Sequence, residues 1–315
     1  MGTDRAEAAR LTDTWFVGVA VTNLGVAFGS ASKPTVKVSG LPSGVKWNTK
    51  AQQIVGVPTK AGEFNVTIAV KNASAATAQV MPAITVVALP DWAQGTFNGV
   101  RLASDGTADG QVTLTVSKAG KISGKVLTPE ATYTLVAPSF ARVEENDGRT
   151  NYVADVELKN GKVLLGTYAL AFQAAEEGLS ISLARGFDGA DEEAQLVLSL
   201  LQNAWKRTDL VKAKVLPVVK KAIVVTGDAL GQPAFKFTFK DKGAVAVAGM
   251  WNDVKVSGTA QLLLEPAWTA TGGEGTVVVF IKSTKTFPGF VRAVPVRLTA
   301  ADNLVTGVEI EADAR

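Results

Sequence analysis

Gly56-Val57-Pro58-Thr59-Lys60-Ala61-Gly62-Glu63-Phe64-Asn65-Val66-Thr67-Ile68-Ala69-Val70 is the stretch on which the fold of the N-terminal part turns. Phe64, Val66, Ile68 and Val70 recur at every second position, so an extended chain carries all four on one face. The preceding Gly56 to Gly62 holds two glycines and a proline, residues that set turn dihedrals and interrupt a ladder. Outward from here, Thr35–Ser39 alternates in the same way, Trp15–Val21 is a short apolar run, and Ala83–Ala88 reads as a closing strand. Gly40-Leu41-Pro42-Ser43-Gly44 supplies a further turn. Short strands at this spacing predict a β-sandwich over residues 14–89, with Val38, Phe64, Val66 and Ile68 in its core.

Two segments carry a resemblance. Gly40-Leu41-Pro42-Ser43-Gly44-Val45-Lys46-Trp47 resembles the GLPxGL turn of the bacterial putative Ig family. Ile54 to Ile68 is similar to that family's ISGTPTxAGTYTVTV run, in the same order and spacing. Val55 and Val57 stand where the family has Ser and Thr, but the turn glycine and proline are kept. The resemblance spans residues 15–89. It implies an Ig-like sandwich in a secreted or cell-surface protein, serving as a spacer or adhesion module, and no catalytic residue.

Beyond the short connection Pro90-Asp91-Trp92-Ala93 the pattern stays β. Strands are expected at 95–102, 111–117, 121–126, 132–140, 152–159, 163–172 and 179–184, with tight turns at Ala119-Gly120 and Asn160-Gly161. Asp191 to Trp205 reads as one helix. It opens on acids, Val197, Leu198, Leu201 and Trp205 share an apolar face, and Lys206-Arg207 favour its C-terminus. After it the β pattern returns. Val112 to Gly124 aligns with Phe235 to Val247, and Phe172 to Glu177 with Leu298 to Asn303, at offsets of 123 and 126 residues. The expected architecture is therefore all-β: an Ig-like β-sandwich at 14–89, then a pseudo-twofold β domain at 95–315. Within that domain, copy one spans 95–184, one connecting helix 190–207, and copy two 222–311. Paired meanders of this kind can close into one barrel, which removes edge strands. The VTLTVSKAGKISGK phrase also resembles β-modules that follow such Ig domains in large bacterial surface proteins.

Composition excludes several chemistries. The chain has no Cys and no His, which removes disulfides, thiolate nucleophiles, Cys/His zinc sites and imidazole bases. Its net charge is +3, too balanced for a nucleic-acid footprint, and Lys206-Arg207 and Lys220-Lys221 are too sparse to make one. No run of ~18 apolar residues marks a transmembrane helix. The opening MGTDRAEAAR lacks the apolar region of a signal peptide, and Met1-Gly2 reads as a scar left where a leader was removed.

Candidate sites are few. Asp188-Gly189-Ala190-Asp191-Glu192-Glu193 has the hard oxygens calcium takes, but not the spacing of an EF-hand loop; helix capping explains it better. Glu144 to Arg149 reads as a solvated loop. Ser123 and Lys125 share a strand face without a positioned partner. A carboxylate hydrolase would need two facing acids, and no local motif selects a pair. Gly272-Gly273-Glu274-Gly275 lacks the lysine and the strand–helix setting of a phosphate loop. Six tryptophans remain as platforms for sugar rings. Trp92 and Trp205 read as core. Trp251 and Trp268, beside Asn252-Asp253 and Thr269, are the ligand-contact candidates. The sequence thus predicts a non-enzymatic scaffold without cofactor, contacting a surface glycan or a protein; a carbohydrate-binding role and a carboxylate glycoside hydrolase are the alternatives.

Overall fold

The structure, a computed structural model, describes residues 6–8, 14–28, 35–71, 76–80, 83–175, 183–187, 197–227 and 235–310. Two compact units divide the chain. The first is Met1–Pro90 together with Ser117–Lys121 and Pro138–Arg142; the second is Asp91–Val116, Ile122–Ala137 and Val143–Arg315.

The first unit holds β1 (Ala6–Ala8), β2 (Thr14–Phe16), β3 (Val21–Phe28), β4 (Thr35–Ser39), β5 (Val45–Asn48), β6 (Gln53–Gly56), β7 (Gly62–Phe64), β8 (Thr67–Lys71), β9 (Ala76–Val80) and β10 (Ile84–Val87). They form sheets ordered β1-β3-β6-β5, β2-β10-β7 and β4-β8-β9. One apolar core joins all three: Trp15, Val17, Val45, Ile54, Val66, Ile68, Ile84 and Val86 are buried, with Val38 and Phe64 packed against them. The period-two face predicted for 64–70 therefore points inward, but not as one strand. Phe64 pairs with Ile84 in one sheet and Ile68 with Val38 in another, so the chain changes sheet at Asn65-Val66. The turn glycines explain the motif physically. Gly44 and Gly56 have φ +89° and +134°, and a Cβ would fall 2.0 Å from the Val57 carbonyl oxygen and 2.2 Å from that of Gly44. Only glycine permits both the dihedral and the approach.

The second unit begins with β11 (Gly95–Leu102), β12 (Ala108–Val116), β13 (Ile122–Leu127), β14 (Thr132–Ala137), β15 (Ala141–Glu144, whose first two residues count with the first unit), β16 (Thr150–Asn160), β17 (Val163–Gln173), β18 (Leu183–Phe187) and β19 (Val197–Gln202). These form a sheet in the order β14-β13-β12-β11-β19-β18-β17-β16-β15, and a further pairing of β14 with β16 closes eight of the nine strands into a ring. The closing register is Thr134↔Lys159, Leu135↔Leu158 and Val136↔Glu157. Alternate side chains fill the ring, as a small barrel requires: Val112, Leu114 and Val116 on β12, Val156 and Leu158 on β16, Leu170 and Phe172 on β17. Phe97 meets Phe172 edge to face, ring centres 5.1 Å apart.

After a short 3-10 turn at Ala204–Lys206 and α1 (Thr208–Ala213) come β20 (Ile223–Gly227), β21 (Phe235–Phe239), β22 (Ala244–Trp251), β23 (Val254–Leu264), β24 (Gly272–Ile281), β25 (Phe290–Ala301) and β26 (Leu304–Ile310). Each pairs with its chain neighbour in a separate seven-stranded sheet. Its core is built on Phe235, Phe237 and Phe239 with Val277, Val279, Val294 and Val296. Leu201, Val100, Leu263, Val278 and Val291 form a cluster between the two sheets.

The structure decides one possibility and corrects one expectation. The two meanders do not share one barrel: the first closes on itself and the second forms its own sheet. The segments aligned in sequence fall on β12–β13 and on β21–β22. The helix predicted over 190–207 is also misplaced. Residues 197–202 are strand β19, paired with β11 and β18, while 188–196 lie outside the described residues. The one α-helix among the described residues is the six-residue α1. The reason is that buried leucines occur on both faces, although Ser199 on the second face is exposed. Leu198 and Leu200 are buried on one side of β19 and Leu201 on the other. A strand covered on both faces reads as a continuous apolar run, which periodicity does not separate from a buried helix.

Candidate functional site

The site grows out of the end of β19. Gln202 and Asn203 are polar yet almost fully buried, and every polar atom of their side chains has a partner. Gln202 Nε2 donates to the carbonyls of Asp91 and Gln94 at 2.8 and 2.7 Å, and its Oε1 accepts from Arg207 Nη1 at 2.7 Å. Asn203 Nδ2 donates to Asn98 Oδ1 at 2.8 Å, and its Oδ1 caps the next turn by accepting from the Trp205 backbone N–H at 3.0 Å. Buried polar groups satisfied in this way are costly to disturb, so they fix the path of the chain. The turn they start carries Trp205 to the second sheet, where its Nε1 donates to the Leu262 carbonyl at 3.1 Å.

Arg207 then grips Asp209 with two hydrogen bonds, Nε to Oδ1 at 2.9 Å and Nη2 to Oδ2 at 2.6 Å. The Arg207 side chain holds the Asp209 carboxyl below the usual carboxylate range, chiefly by hydrogen bonding to its ionised form. Helix α1 ends at Lys214, whose φ of +56° is left-handed. The chain is next pinned to the β25–β26 hairpin. Asn303 Nδ2 donates to the Lys214 carbonyl at 2.6 Å, and the Val218 N–H to the Asn303 carbonyl at 2.7 Å.

These elements enclose a cleft of about 790 Å³. Trp205, Val211, Leu216, Val218 and Leu304 give it an apolar lining; Lys206, Lys212, Lys214, Lys242, Asp241, Asp302, Asn303 and Thr208 give the polar one. Four lysines and two aspartates thus belong to one lining, and none of the four lysines is in an ion pair with the described residues. Lys214 and Lys242 both sit at left-handed φ, +56° and +58°. That region costs an L-residue roughly 1–2 kcal/mol and is ordinarily given to Gly or Asn. Asp302 and Asn303, at φ +51° and +59°, are the central pair of a tight hairpin, where such angles are normal.

The residues singled out from sequence lie elsewhere. Trp251 stacks into an aromatic group, 4.8 Å from Phe290, 6.1 Å from Phe287 and 6.4 Å from Phe235 between ring centres. Trp268 is 3% exposed and part of the same core, so a ligand would reach its ring only if that core opened. Its Nε1 is buried with no hydrogen-bond partner among the described residues. Trp15 is buried in the first core, and Trp92 meets Tyr152 edge to face at 5.5 Å. Ser123 and Lys125 share the exposed face of β13, as their spacing predicts. The Asp188–Glu193 cluster lies outside the described residues. Glu144 to Arg149 forms the exposed tip between β15 and β16, with Asp147 paired to Arg149 at 2.6 Å. Among the described residues no group of three or more acids is placed to hold a metal ion. Also among them, no helix is long and apolar enough to cross a membrane.

Trp205 is what the sequence reading missed. Taken as the last residue of a helix, it belongs on that helix's buried face. Carried over by the Gln202-Asn203 corner, it packs against the core of the second sheet, as the core reading expects, and also lines the cleft. The signal was present in the Asn203-x-Trp205 spacing of a side-chain cap at the start of a short turn.

Residues 16–87 match the family model described as Putative Ig domain, which bears out the resemblance read from Gly40–Trp47 and Ile54–Ile68. The match covers under a quarter of the chain and stops before β11. No curated protein matches the chain.

Proposed function

We propose that this chain, with its Ig-like segment at 16–87, is a non-enzymatic module of a secreted or cell-surface protein. In this reading the Ig-like segment is a spacer, and the second unit presents the Trp205 cleft to a partner. The observation that carries it is the cleft itself: an apolar lining, four lysines without an ion pair among the described residues, and a scaffold of buried hydrogen bonds that fixes its shape. Binding surfaces held on rigid sheets are where recognition is ordinarily found. The Ig-like match supports the non-catalytic part, and the resemblance to bacterial surface modules supports the location. Of the two alternatives, carbohydrate binding keeps its footing through Trp205 rather than through Trp251 or Trp268.

The test is a panel of immobilised glycans and surface proteins, probed with the wild type and with the double variant Lys206→Glu/Lys212→Glu. Retention of at least one panel member, lost in the variant, is expected. A parallel panel of glycoside, ester and peptide substrates should give no turnover. Turnover abolished by changing one Asp or Glu to its amide, with the fold intact, would replace this reading with a carboxylate hydrolase.

A further inference from the structure

We infer that the Trp205 cleft takes an acidic sugar, a uronate-containing stretch of polysaccharide. This rests on the binding role proposed above and adds the class of ligand. Three features of the lining argue together. The first is Trp205. Its Nε1 is committed to the Leu262 carbonyl, and the pyrrole edge lies against Gly243, where a Cβ would fall 2.2 Å from Nε1 and 2.7 Å from Cδ1. The indole is thus anchored by one edge; it is half-buried against the core of the second sheet and also belongs to the cleft lining. A fixed aromatic surface suits the C–H face of a pyranose, which packs on it without needing the ring to move.

The second feature is charge. Lys206, Lys212, Lys214 and Lys242 surround the same space without an ion pair to the described residues. An anionic ligand supplies the missing partner, and its carboxylates form charge-assisted hydrogen bonds to them. Both left-handed lysines are in this group, so the backbone bears a cost at two residues of the lining.

The third feature selects among anions. Asp241 and Asp302 belong to the same lining. Carboxylates repel the closely spaced phosphates of a nucleic acid or a lipid headgroup. They accept hydrogen bonds well from sugar hydroxyls. A ligand with one carboxylate and several hydroxyls per ring gives the lysines an anion and the aspartates hydroxyl donors. A nucleic-acid surface would also need positive charge extended along a stripe, and the net charge of the whole chain is only +3.

Titration calorimetry tests this with the full chain and four probes: tetragalacturonate, neutral maltotetraose, a single-stranded oligonucleotide, and anionic phospholipid vesicles. Tetragalacturonate is expected to bind at least about tenfold more tightly than maltotetraose. Lys206→Glu/Lys212→Glu should weaken it about tenfold or more, and raising NaCl should weaken it too, because the charges are exposed and screened. Both lysines are exposed, so the variant keeps the fold; Trp205→Phe is a second variant, which keeps an aromatic ring against the core but loses the Nε1 bond to Leu262, and it should weaken tetragalacturonate binding too. Equal binding of the neutral sugar overturns the inference and leaves the binding role standing. So does tighter binding of the oligonucleotide or the vesicles, and so does a protein captured through the lysines when no sugar binds. If nothing on this list or on the wider panel binds, both readings fall.

Discussion

Trp205 Nε1 donates to the Leu262 carbonyl at 3.1 Å, so a ring carried at the end of the first barrel is tied to a strand of the second sheet. The bond has room only because residue 243 is glycine. Its φ is +70°, and a Cβ there would overlap Trp205 Nε1. Gly243→Ala is expected to destabilise the protein by at least the roughly 1–2 kcal/mol that a left-handed L-residue costs. It should also shift the tryptophan emission as Trp205 is displaced. Urea unfolding followed by fluorescence checks both; an unchanged midpoint and spectrum would contradict the placement of the ring.

The corner that delivers Trp205 is set by Gln202, 1% exposed and bonded to two carbonyls and to Arg207. Gln202→Ala leaves all three groups without that partner. The expected loss is about 1–3 kcal/mol, the penalty for buried polar groups left unpaired. Ligand affinity should fall with it, since Arg207 and the start of α1 lose their anchor. A variant of wild-type stability would mean that water replaces the amide at no cost.

Leu201→Ala probes the cluster between the two sheets. Leu201 packs there with Val100, Leu263, Val278 and Val291. Truncating a buried leucine costs about 2–5 kcal/mol, depending on how far the cavity collapses. Denaturant unfolding should show a loss in that range. A loss well under about 1 kcal/mol would mean that the cluster carries little of the stability of the second unit.

How much of this was legible in the chain follows from which faces are buried. Phe64, Val66 and Ile68 announced the Ig-like core because their strands are covered on one side only, so alternation survives in the sequence. The same holds for Val112, Leu114 and Val116 in the first barrel. In β19 Leu198 and Leu200 are buried on one side and Leu201 on the other, so alternation is lost and the run reads as a helix. The change of sheet at Asn65-Val66 is also invisible to periodicity, because the inward face is kept while the pairing partner changes. Trp205 was hidden for a related reason. Its exposure depends on the Gln202-Asn203 corner, whose partners at Asp91, Gln94 and Asn98 are more than a hundred residues away in sequence. Of the two tryptophans with polar neighbours, Trp251 is half-buried and Trp268 is buried. Those neighbours occupy hairpin and turn positions, while the rings fold back onto Phe287, Phe290 and the rest of the core.

Acidification should act late. With no His and no Cys, no side chain of ordinary pKa titrates between pH 5 and 8. Asp209 is held low by Arg207, and Asp105 and Asp147 are lowered by hydrogen bonds from Thr107 and Arg149. A lowered carboxyl stabilises the folded state above its unfolded pKa of about 3.9, and that contribution is lost as pH falls through the lower folded value. The melting temperature by circular dichroism should therefore be flat from pH 8 to 5 and fall only below about pH 4. A transition near pH 6–7 would reveal a perturbed group absent from this account.

The central claim is that recognition occurs at the Trp205 cleft and not at the other tryptophans. The chain has six tryptophans, and each indole N–H gives its own resonance in a nitrogen-15 correlation spectrum. Titration with tetragalacturonate reads them separately. The account predicts that the Trp205 signal moves progressively with ligand and saturates, that the signals of Trp251 and Trp268 stay in place, and that Lys206→Glu/Lys212→Glu abolishes the movement. Movement confined to Trp251 or Trp268, with Trp205 unchanged, would contradict it.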